Sequence, residues 1–266
     1  MRGTYFLTMN TQLGGHILNL YKNLGETPRE RLERLRAQKP QYQYEVLSYA
    51  GRLDPMAEGV LVCLVGAENS RHNAYLDMPK EYTLDVLFGF ATDSYDVLGK
   101  VIQQGSDATI CRRVVLPALN EFRGDRSQEY PPFSSKPVGG VPLFELAKKG
   151  LLGTGALPRR NVTIHQIDLL NMYRIKETQL LSYIETGIAK VHGDFRQEEI
   201  IAGWKRHLRA DGQRSFACAT INIECSSGTY ARSIAQNLGT QLGVPALALH
   251  ILRTKVGEHE IGKSLK

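Results

Sequence analysis

The sequence has few cysteines, and they are not arranged for a metal or a disulfide framework. Its four cysteines, at positions 63, 111, 218 and 225, lie far apart, with no C-x-x-C pair and no cysteine–histidine cluster at zinc spacing. This pattern argues against a structural zinc site and against a small disulfide-linked fold. It is typical of a protein that works in a reducing cytoplasm, which is the compartment we expect.

The sequence also lacks long apolar runs, internal repeats and low-complexity segments. No uncharged apolar stretch approaches the roughly 20 residues needed to span a bilayer, so we expect no membrane segment. The opening stretch MRGTYFLTMN has no apolar core of the kind found in secretory signal peptides, and we expect none.

What remains is the composition of a soluble globular protein with a basic balance. The 266 residues are 42% hydrophobic and 23% charged, which is enough for a core of ordinary size. Lys and Arg total 33 against 27 Asp and Glu, a net charge of +6. Such an excess favours a polyanionic partner such as nucleic acid, although a merely basic protein would have the same balance.

Hydrophobic periodicity predicts strands and helices in irregular alternation. The stretches EYTLDVLFGFA, RNVTIHQIDLLNMY and FACATINIEC read as strands, the first with strict period-two alternation. QEEIIAGWKRHL has helical spacing. Thr27 is predicted to cap another helix, with Pro28 at its first position and Glu30 completing a capping box. Because no βαβ rhythm appears, we predict an α+β fold with a mixed sheet.

One carboxylate stands out in the stretch AGRLDPMAEGVL. Asp54 lies between Leu53 and Pro55, in a short loop bracketed by Gly51 and Gly59 and followed by a buried strand or helix. Asp-Pro is common in turns, because Asp accepts local backbone hydrogen bonds and Pro presets φ. A loop anchored on a rigid apolar element is also where proteins present reactive side chains. Either role is compatible with this stretch alone.

A reactive carboxylate needs an orienting cation and a wall for its substrate, and two other stretches offer them. CSSGTYARS places Tyr230 and Arg232 where a loop enters a helix, and an Arg fork matches two carboxylate oxygens. PKEYTL places Lys80 and Tyr82 at the start of a strand, where an aromatic ring can stack on a base and a lysine can meet phosphate. The alternatives are a solvated first-turn residue for Arg232, a core aromatic for Tyr230 and an ordinary strand-end tyrosine for Tyr82.

Four segments together resemble a known family. AGRLDPMAEGVL, KEYTLDVLFGFATDSYDVLGKV, PPFSSKPVGGVPLFELAKKG and CSSGTYARSIAQNLGTQLG occur in this order, as do the motifs of the TruB-type tRNA pseudouridine-55 synthases. The resemblance covers residues 47–150, 160–168 and 221–257. It implies a mixed, largely antiparallel sheet flanked by helices and loops.

The resemblance implies an activity and a set of catalytic residues. Members of this family isomerise uridine to pseudouridine at position 55 of the tRNA T-loop, after flipping the uridine into a pocket. Their essential aspartate matches Asp54, and the arginine that holds it matches Arg232. The active-site tyrosine matches Tyr82, which stacks on the target base and is a proposed proton acceptor.

Further positions match residues near the bound RNA. Tyr230 matches an aromatic residue that lines the pocket, Asp96 a polar position on the RNA-contacting side, and Lys136 and Arg253 basic positions near the RNA or the site. Lys80 and Tyr49 complete the expected substrate-binding set. The family uses no metal and no organic cofactor, and we expect a monomer whose partner is the T-arm of tRNA, with no obligatory protein partner and no membrane.

The chain departs from the family pattern in three places that matter. The stretch KNLGETP keeps Lys22, Gly25 and Thr27 of the family's N-terminal signature but has Asn23 and Pro28 where the family has proline and serine. Tyr49 stands where the family usually has a histidine five residues before the aspartate, so the way in which the nucleotide is flipped is expected to differ. We expect a single catalytic domain over residues 1–266, with a helical insertion at about 172–214 and without the C-terminal PUA domain that many members carry. The insertion either grips tRNA in place of that domain or covers one face of the sheet.

Two other functions stay open on the sequence alone. One is a pseudouridine synthase that acts on a different RNA stem-loop. The other is a tRNA-binding chaperone without catalysis, against which the joint presence of Asp54, Tyr82 and Arg232 argues.

Overall fold

The structure, a computed structural model, describes residues 15–152 and 156–266, so the stretch MRGTYFLTMN lies outside the described residues. Its strands are β1 (His16–Lys22), β2 (Leu47–Ala50), β3 (Ala57–Val65), β4 (Lys80–Phe88), β5 (Phe90–Thr92), β6 (Val101–Gln104), β7 (Gly124–Glu129), β8 (Pro137–Val138), β9 (Val141–Pro142), β10 (Arg159–Lys176), β11 (Ser215–Cys225), β12 (Ala246–Val256) and β13 (His259–Glu260). Its α-helices are α1 (Pro28–Gln38), α2 (His72–Leu76), α3 (Arg112–Asn120), α4 (Leu143–Lys148), α5 (Glu177–Ile188), α6 (Gln197–His207) and α7 (Ala231–Leu242).

Across the described ranges, nine strands form one mixed sheet. Its path runs β1-β3-β12-β4-β11-β10-β7, with β2 paired to β3 and β13 paired to β12. Every pairing in this sheet is antiparallel except that of β12 with β3. The predicted α+β fold with a mixed, largely antiparallel sheet is therefore confirmed. The apolar run after Asp54, left as strand or helix by its composition, is strand β3.

One face of the sheet packs against α3 and α7. The alternating residues Leu84, Val86 and Phe88 of β4 point into this layer, as their period-two spacing predicts. From α7, Ile234 and Leu238 meet them at four-residue spacing. The helix ends at Gly243, whose left-handed φ of 68° makes it the C-cap that the sequence predicts.

The other face is covered by α5 and α6, which come from the segment predicted to be a helical insertion. Leu180 and Ile184 of α5 and Trp204 of α6 are fully buried there, against strand residues that include Leu87 and Leu247. The Trp204 indole N–H donates to the Val97 carbonyl oxygen at 3.1 Å. These helices thus cover the sheet, and the first residues of the segment, 172–176, are still part of strand β10.

Helix α1 begins as predicted, but one of its charged side chains is buried. The Thr27 hydroxyl accepts from the Glu30 amide at 3.2 Å, and the Glu30 carboxylate accepts from the Thr27 amide at 2.6 Å. Arg31, however, is fully buried and donates to the carbonyl oxygens of Tyr21 and Leu265. This arginine is part of the packing between α1 and β1, and it does not face RNA.

No α-helix in residues 15–152 and 156–266 is both long and apolar enough to span a membrane.

Gly59 allows the parallel contact between β3 and β12. Its φ is +109°, and a Cβ placed there would lie 2.2 Å from the Arg253 carbonyl oxygen, its partner in the pairing. Backbone atoms at that distance have no room to yield. A side chain at this position would therefore push β12 away from β3 and also require an unfavourable backbone conformation.

We predict that Gly59→Ala lowers the free energy of unfolding by about 2 kcal/mol or more. The matched control is Gly203→Ala in α6, where the added Cβ meets nothing nearer than the Arg206 Nη2 atom at 3.8 Å. In a helix interior that change is expected to stabilise by about 0.5–1 kcal/mol. Urea unfolding followed by fluorescence of Trp204, the one tryptophan of the chain, measures both. Equal effects of the two substitutions would contradict the argument.

Candidate active site

A cleft of about 820 Å³ opens where the β2–β3 loop, the start of β4 and the beginning of α7 meet. Its walls also include the loop after β5, the segment after β7 and the loop between α5 and α6. Eight of the nine residues singled out in the sequence line this cleft: Tyr49, Asp54, Lys80, Tyr82, Asp96, Tyr230, Arg232 and Arg253.

Asp54 and Arg232 form the ion pair at the centre of the cleft. The Arg232 Nε atom donates to the Asp54 Oδ2 atom at 2.7 Å, across 178 residues of sequence. The Asp54 side chain is 35% exposed, whereas that of Arg232 is 3% exposed. The arginine is thus part of the core, and the carboxylate it holds faces the cleft. The structure brings together the acid and the cation that the sequence paired.

The other two nitrogen atoms of the Arg232 guanidinium make further hydrogen bonds, which fix its position. Its Nη1 atom donates to the Ser94 carbonyl oxygen at 2.7 Å, and its Nη2 atom to the Phe133 carbonyl oxygen at 3.1 Å. Burial alone would lower the pKa of Arg232, but the charges of Asp54 and Asp96 outweigh it and raise that pKa. The guanidinium therefore stays charged and has a fixed orientation.

Asp96 is buried beside the ion pair and supports it. It is buried, with its Oδ2 atom 3.7 Å from the Arg232 Nε atom. Its Oδ1 atom accepts from the Ser94 hydroxyl at 2.6 Å and from the Leu98 amide at 3.0 Å. Burial raises the pKa of Asp96 to about 6, although Arg232 and these hydrogen bonds act in the opposite direction. Asp96 lines the cleft, and its expected place on the RNA-contacting side of the site stays a prediction.

Arg253 is likewise a support for the Asp54 loop. It is buried, and its guanidinium donates to the carbonyl oxygens of Val60, Arg52 and Gly51 at 2.7, 3.1 and 3.3 Å. Gly51 has a φ of +81°, which a residue without Cβ adopts at no cost. The loop that presents Asp54 is thus tied to β12 through one arginine, and that arginine has few donors left for RNA.

Tyr82 forms an apolar wall close to the ion pair. It is almost wholly buried in β4, beside Arg253 of β12, and it lines the cleft. Burial raises the pKa of its phenol, although the charge of Arg253 acts against this. The free protein therefore holds Tyr82 as a neutral phenol at neutral pH.

The ammonium group of Lys80, two residues before Tyr82, is directed away from the solvent in the cleft. Its Nζ atom donates to the Leu76 and Met78 carbonyl oxygens at 2.6 and 2.5 Å, and its side chain is buried. Burial, together with the nearby charge of Arg253, lowers its pKa to about 8. A phosphate-binding role for Lys80 would require it to give up these hydrogen bonds.

Tyr230 lies at the N-cap of α7 and belongs to an aromatic pair. Its ring meets that of Tyr130 edge to face, with centroids 5.5 Å apart. The Gln128 side chain holds its backbone, accepting from the Tyr230 amide at 2.8 Å and donating to the Tyr230 carbonyl oxygen at 3.1 Å. Lys136, the predicted residue that does not line the cleft, places its Nζ atom 5.4 Å from the Tyr130 ring centre. The Tyr130 ring therefore separates the Lys136 ammonium group from Tyr230, which lines the cleft.

Tyr49, the departure from the family pattern, lines the cleft from strand β2. Its backbone carbonyl oxygen accepts from the Nε2 atom of His72 at 3.1 Å. Its side chain packs partly against a cluster that includes Leu61 and Tyr42. The ring is thus available as a wall of the cleft, in the position from which the family histidine is missing.

Sequence reasoning missed Arg196, which fastens the outer wall of the cleft. Its guanidinium pairs with the Asp93 carboxylate at 2.6 and 3.2 Å and lies 4.1 Å from the Phe133 ring centre. Phe133 is the residue whose carbonyl oxygen binds Arg232. The backbone of Arg196 is left-handed, with a φ of 64°, which is uncommon for a non-glycine residue. A local pattern could not reveal it, because its partners lie more than 60 residues away.

A second contact joins the α5–α6 loop to helix α4. The Lys148 Nζ atom donates to the Asp194 backbone and lies 3.0 Å from its carboxylate. It is also 5.8 Å from the Phe195 ring centre. The loop between α5 and α6 is therefore part of the cleft, held against the segment between β7 and β10 by two cationic side chains.

The fold of this chain is found in solved structures of another protein. A chain in a "Cbf5-Nop10-Gar1 complex" matches it with a TM-score of 0.54 over 92% of this chain and 49% of that one, at 18% identity. A chain from an "H/ACA RNP bound to a substrate RNA containing 2'-deoxyuridine" matches with a TM-score of 0.52 and 17% identity, over 92% and 48%. At such identity the likeness concerns the fold alone.

Sequence comparison defines the family. Residues 39–189, more than half of the chain, match the family described as "TruB family pseudouridylate synthase (N terminal domain)". The chain therefore belongs to the TruB family of pseudouridylate synthases. The match includes Asp54, Tyr82 and Asp96.

Curated relatives carry the name tRNA pseudouridine synthase B. That of Lactobacillus acidophilus is 31% identical over 83% of this chain and 62% of its own length. That of Gloeothece citriformis is 30% identical over 96% of this chain and 68% of its own length, and that of Aquifex aeolicus 29% identical over 92% and 69%. The chain thus spans about two thirds of the length of these relatives.

We predict that Arg196→Asn loosens the outer wall of the cleft without unfolding the protein. Asn tolerates the left-handed backbone but cannot reach Phe133. The amides of Leu143 and Phe144, which donate to Lys136 and Ser134, should exchange hydrogen for deuterium about tenfold faster, a change of about 1.4 kcal/mol.

The control is Arg206→Asn, at an exposed position of helix α6, which should leave those amides unchanged. Equal protection in the two variants would show that Arg196 does not hold the wall.

Proposed function

We propose that this protein isomerises uridine to pseudouridine at position 55, in the T-loop of tRNA. The observation that carries the proposal is the Asp54 carboxylate, which is held by buried Arg232 at 2.7 Å and faces a cleft large enough for a nucleotide. Membership of the TruB family and the name of the curated relatives support the reaction and the substrate.

The reaction rearranges one nucleotide. The bond between the ribose C1′ and uracil N1 breaks, the uracil turns, and its C5 atom bonds to C1′ and then gives up its proton, while N1 takes up a proton. We assign to Asp54 the role of the group that meets the charge developing as the glycosidic bond breaks, either as a nucleophile or as a fixed counter-charge. Arg232 acts as the positioning residue, because its own contacts fix the direction in which the carboxylate points.

Tyr82 is assigned as the wall on which the base stacks. A flipped base needs aromatic or apolar surfaces to replace the stacking that it loses in RNA. Tyr82 and Tyr230 supply two such surfaces, and Tyr49 of strand β2 supplies a third. The proton-acceptor role is less favourable for Tyr82 in the free protein, since burial raises its pKa and keeps it protonated.

We assign binding of the T-arm to the shape of the cleft and to the positive charge of the protein. The cleft is lined by Arg29 and Arg52, and also by Lys148 and Arg196, which pair with Asp194 and Asp93; the whole chain carries a net charge of +6. Such charges bind the phosphates of a stem-loop without reading its sequence. We propose that the α5–α6 loop shares in this binding, because Asp194, Phe195 and Arg196 line the cleft. We further propose that the protein acts as a monomer in the cytoplasm, where its four free cysteines stay reduced.

The test is release of tritium from a T-arm transcript labelled at C5 of uridine 55. The native protein should release tritium, and Asp54→Asn should bind the same transcript within about twofold while reacting about 10³-fold more slowly. Asp77→Asn is the matched control, because Asp77 is a carboxylate that also lines the cleft but lies away from Arg232. It should retain activity within about threefold.

Other outcomes identify the alternatives. Binding of the T-arm by the native protein with no tritium release would indicate a non-catalytic tRNA-binding chaperone. Release only from a different stem-loop would indicate another RNA substrate. A transcript with cytidine at position 55, labelled elsewhere, controls for release that is unrelated to this uridine.

A further inference from the structure

Arg160 also lines the cleft, and it takes no part in the ion pair or in the aromatic walls assigned to the base. It is in strand β10, opposite Gln128 of β7, and its side chain lines the cleft beside Gly228 and Thr229. Gly228 has a φ of +75°, and a Cβ placed there would fall 1.6 Å from the Arg160 Nη1 atom. The guanidinium therefore lies directly against the backbone of the loop that leads into α7. Because Gly228 has no side chain, the guanidinium can occupy the space that a Cβ would fill.

The side chain of Arg160 makes no hydrogen bond or ion pair with the described part of the chain, and its Nε atom is buried without a partner. The other arginines of the cleft core differ, since Arg232 and Arg253 each donate three hydrogen bonds. Arg159, the next residue along the strand, pairs with Glu129 and Ser127. An unpaired buried donor on a charged group costs free energy that a ligand can recover.

The groups around Arg160 favour an anion as that ligand. Its charge acts on Lys80 and on Tyr230, in each case in the direction that lowers the pKa. The loop residues beside it, Ser227 to Thr229, carry only hydroxyl groups and backbone, and Asp77, which accepts from the Ser227 hydroxyl at 3.5 Å, forms no ion pair with Arg160. A second cation without an adjoining carboxylate partner, next to the pocket assigned to the base, is where the phosphate of a bound nucleotide would be stabilised. A planar guanidinium matches two phosphate oxygens.

We infer that Arg160 binds a phosphodiester of the RNA, at the flipped uridine or at a nucleotide directly next to it. The ligand class is thus the RNA backbone, and free inorganic phosphate is not the intended occupant. The inference rests on the proposed function for the identity of the nucleotide. Arg160 fixes the backbone while Tyr82 and Tyr230 hold the base, so the sugar between them is brought to Asp54.

The experiment measures binding of T-arm transcripts by native protein, Arg160→Ala and Arg160→Lys. We expect Arg160→Ala to weaken binding about tenfold and to reduce the slope of log K against log salt by about 0.7–0.9, the loss of one phosphate contact. Arg160→Lys should recover the salt slope but only part of the affinity, because an ammonium does not bind two oxygens in one plane. Arg159→Ala, the matched control on the exposed side of the strand, should bind as the native protein does.

A second measurement locates the phosphate and does not depend on how well a variant folds. Single methylphosphonate groups are placed at each phosphate within two nucleotides of uridine 55. One of them should weaken binding by the native protein about tenfold and leave Arg160→Ala unaffected. If every substitution weakens both proteins equally, or if Arg160→Ala binds with native affinity and salt slope, the inference is overturned. Inhibition of native binding by millimolar inorganic phosphate, at constant ionic strength, would also count against it.

These outcomes are separate from the test of the proposed function. Tritium release by the native protein with no effect of Arg160→Ala on binding removes the inference alone. A phosphate contact at Arg160 without tritium release keeps the RNA-binding inference and removes the catalytic proposal.

Discussion

The ion pair between Asp54 and Arg232 is the contact on which the cleft is organised. A guanidinium buried to 3% exposure needs every donor matched, because an unmatched charge in the core is costly. Its partners come from three separate loops: the carboxylate of Asp54 and the carbonyl oxygens of Ser94 and Phe133. Satisfying one arginine thus fixes the relative positions of three cleft walls. Asp96 adds the negative charge that keeps this arrangement favourable.

The sheet supplies the rigidity that these loops lack. Strand β4 lies between β11 and β12, so Tyr82 is paired on both sides. On the other flank, the parallel pairing of β3 with β12 brings Arg253 beneath the Asp54 loop. The two buried arginines therefore have complementary effects. Arg253 fixes the backbone of the loop, and Arg232 fixes the side chain that the loop presents.

Local sequence signals predicted much of the fold, and the pairing of Asp54 with Arg232 needed the resemblance as well. Alternation located β4 and β11, and Thr27 with Glu30 marked the start of α1, because those signals act between neighbours in sequence. Burial of charged side chains was not predictable in this way. Lys80, Asp96 and Arg253 read as polar residues open to RNA, yet their partners are carbonyl oxygens, a hydroxyl and an amide brought near by tertiary structure. Arg196 was missed for the same reason.

The long sequence separation of the ion pair has a consequence for synthesis of the chain. Asp54 and its loop leave the ribosome early, but Arg232 follows 178 residues later and β12, with Arg253, later still. Until then the loop has neither its side-chain partner nor its backbone support. A chain that stops before residue 232 therefore holds the acid with neither arginine, and one that stops between residues 232 and 253 has the ion-pair partner but lacks the support of the loop backbone. The orientation of Asp54 is therefore completed in two stages, and the second of them waits for strand β12.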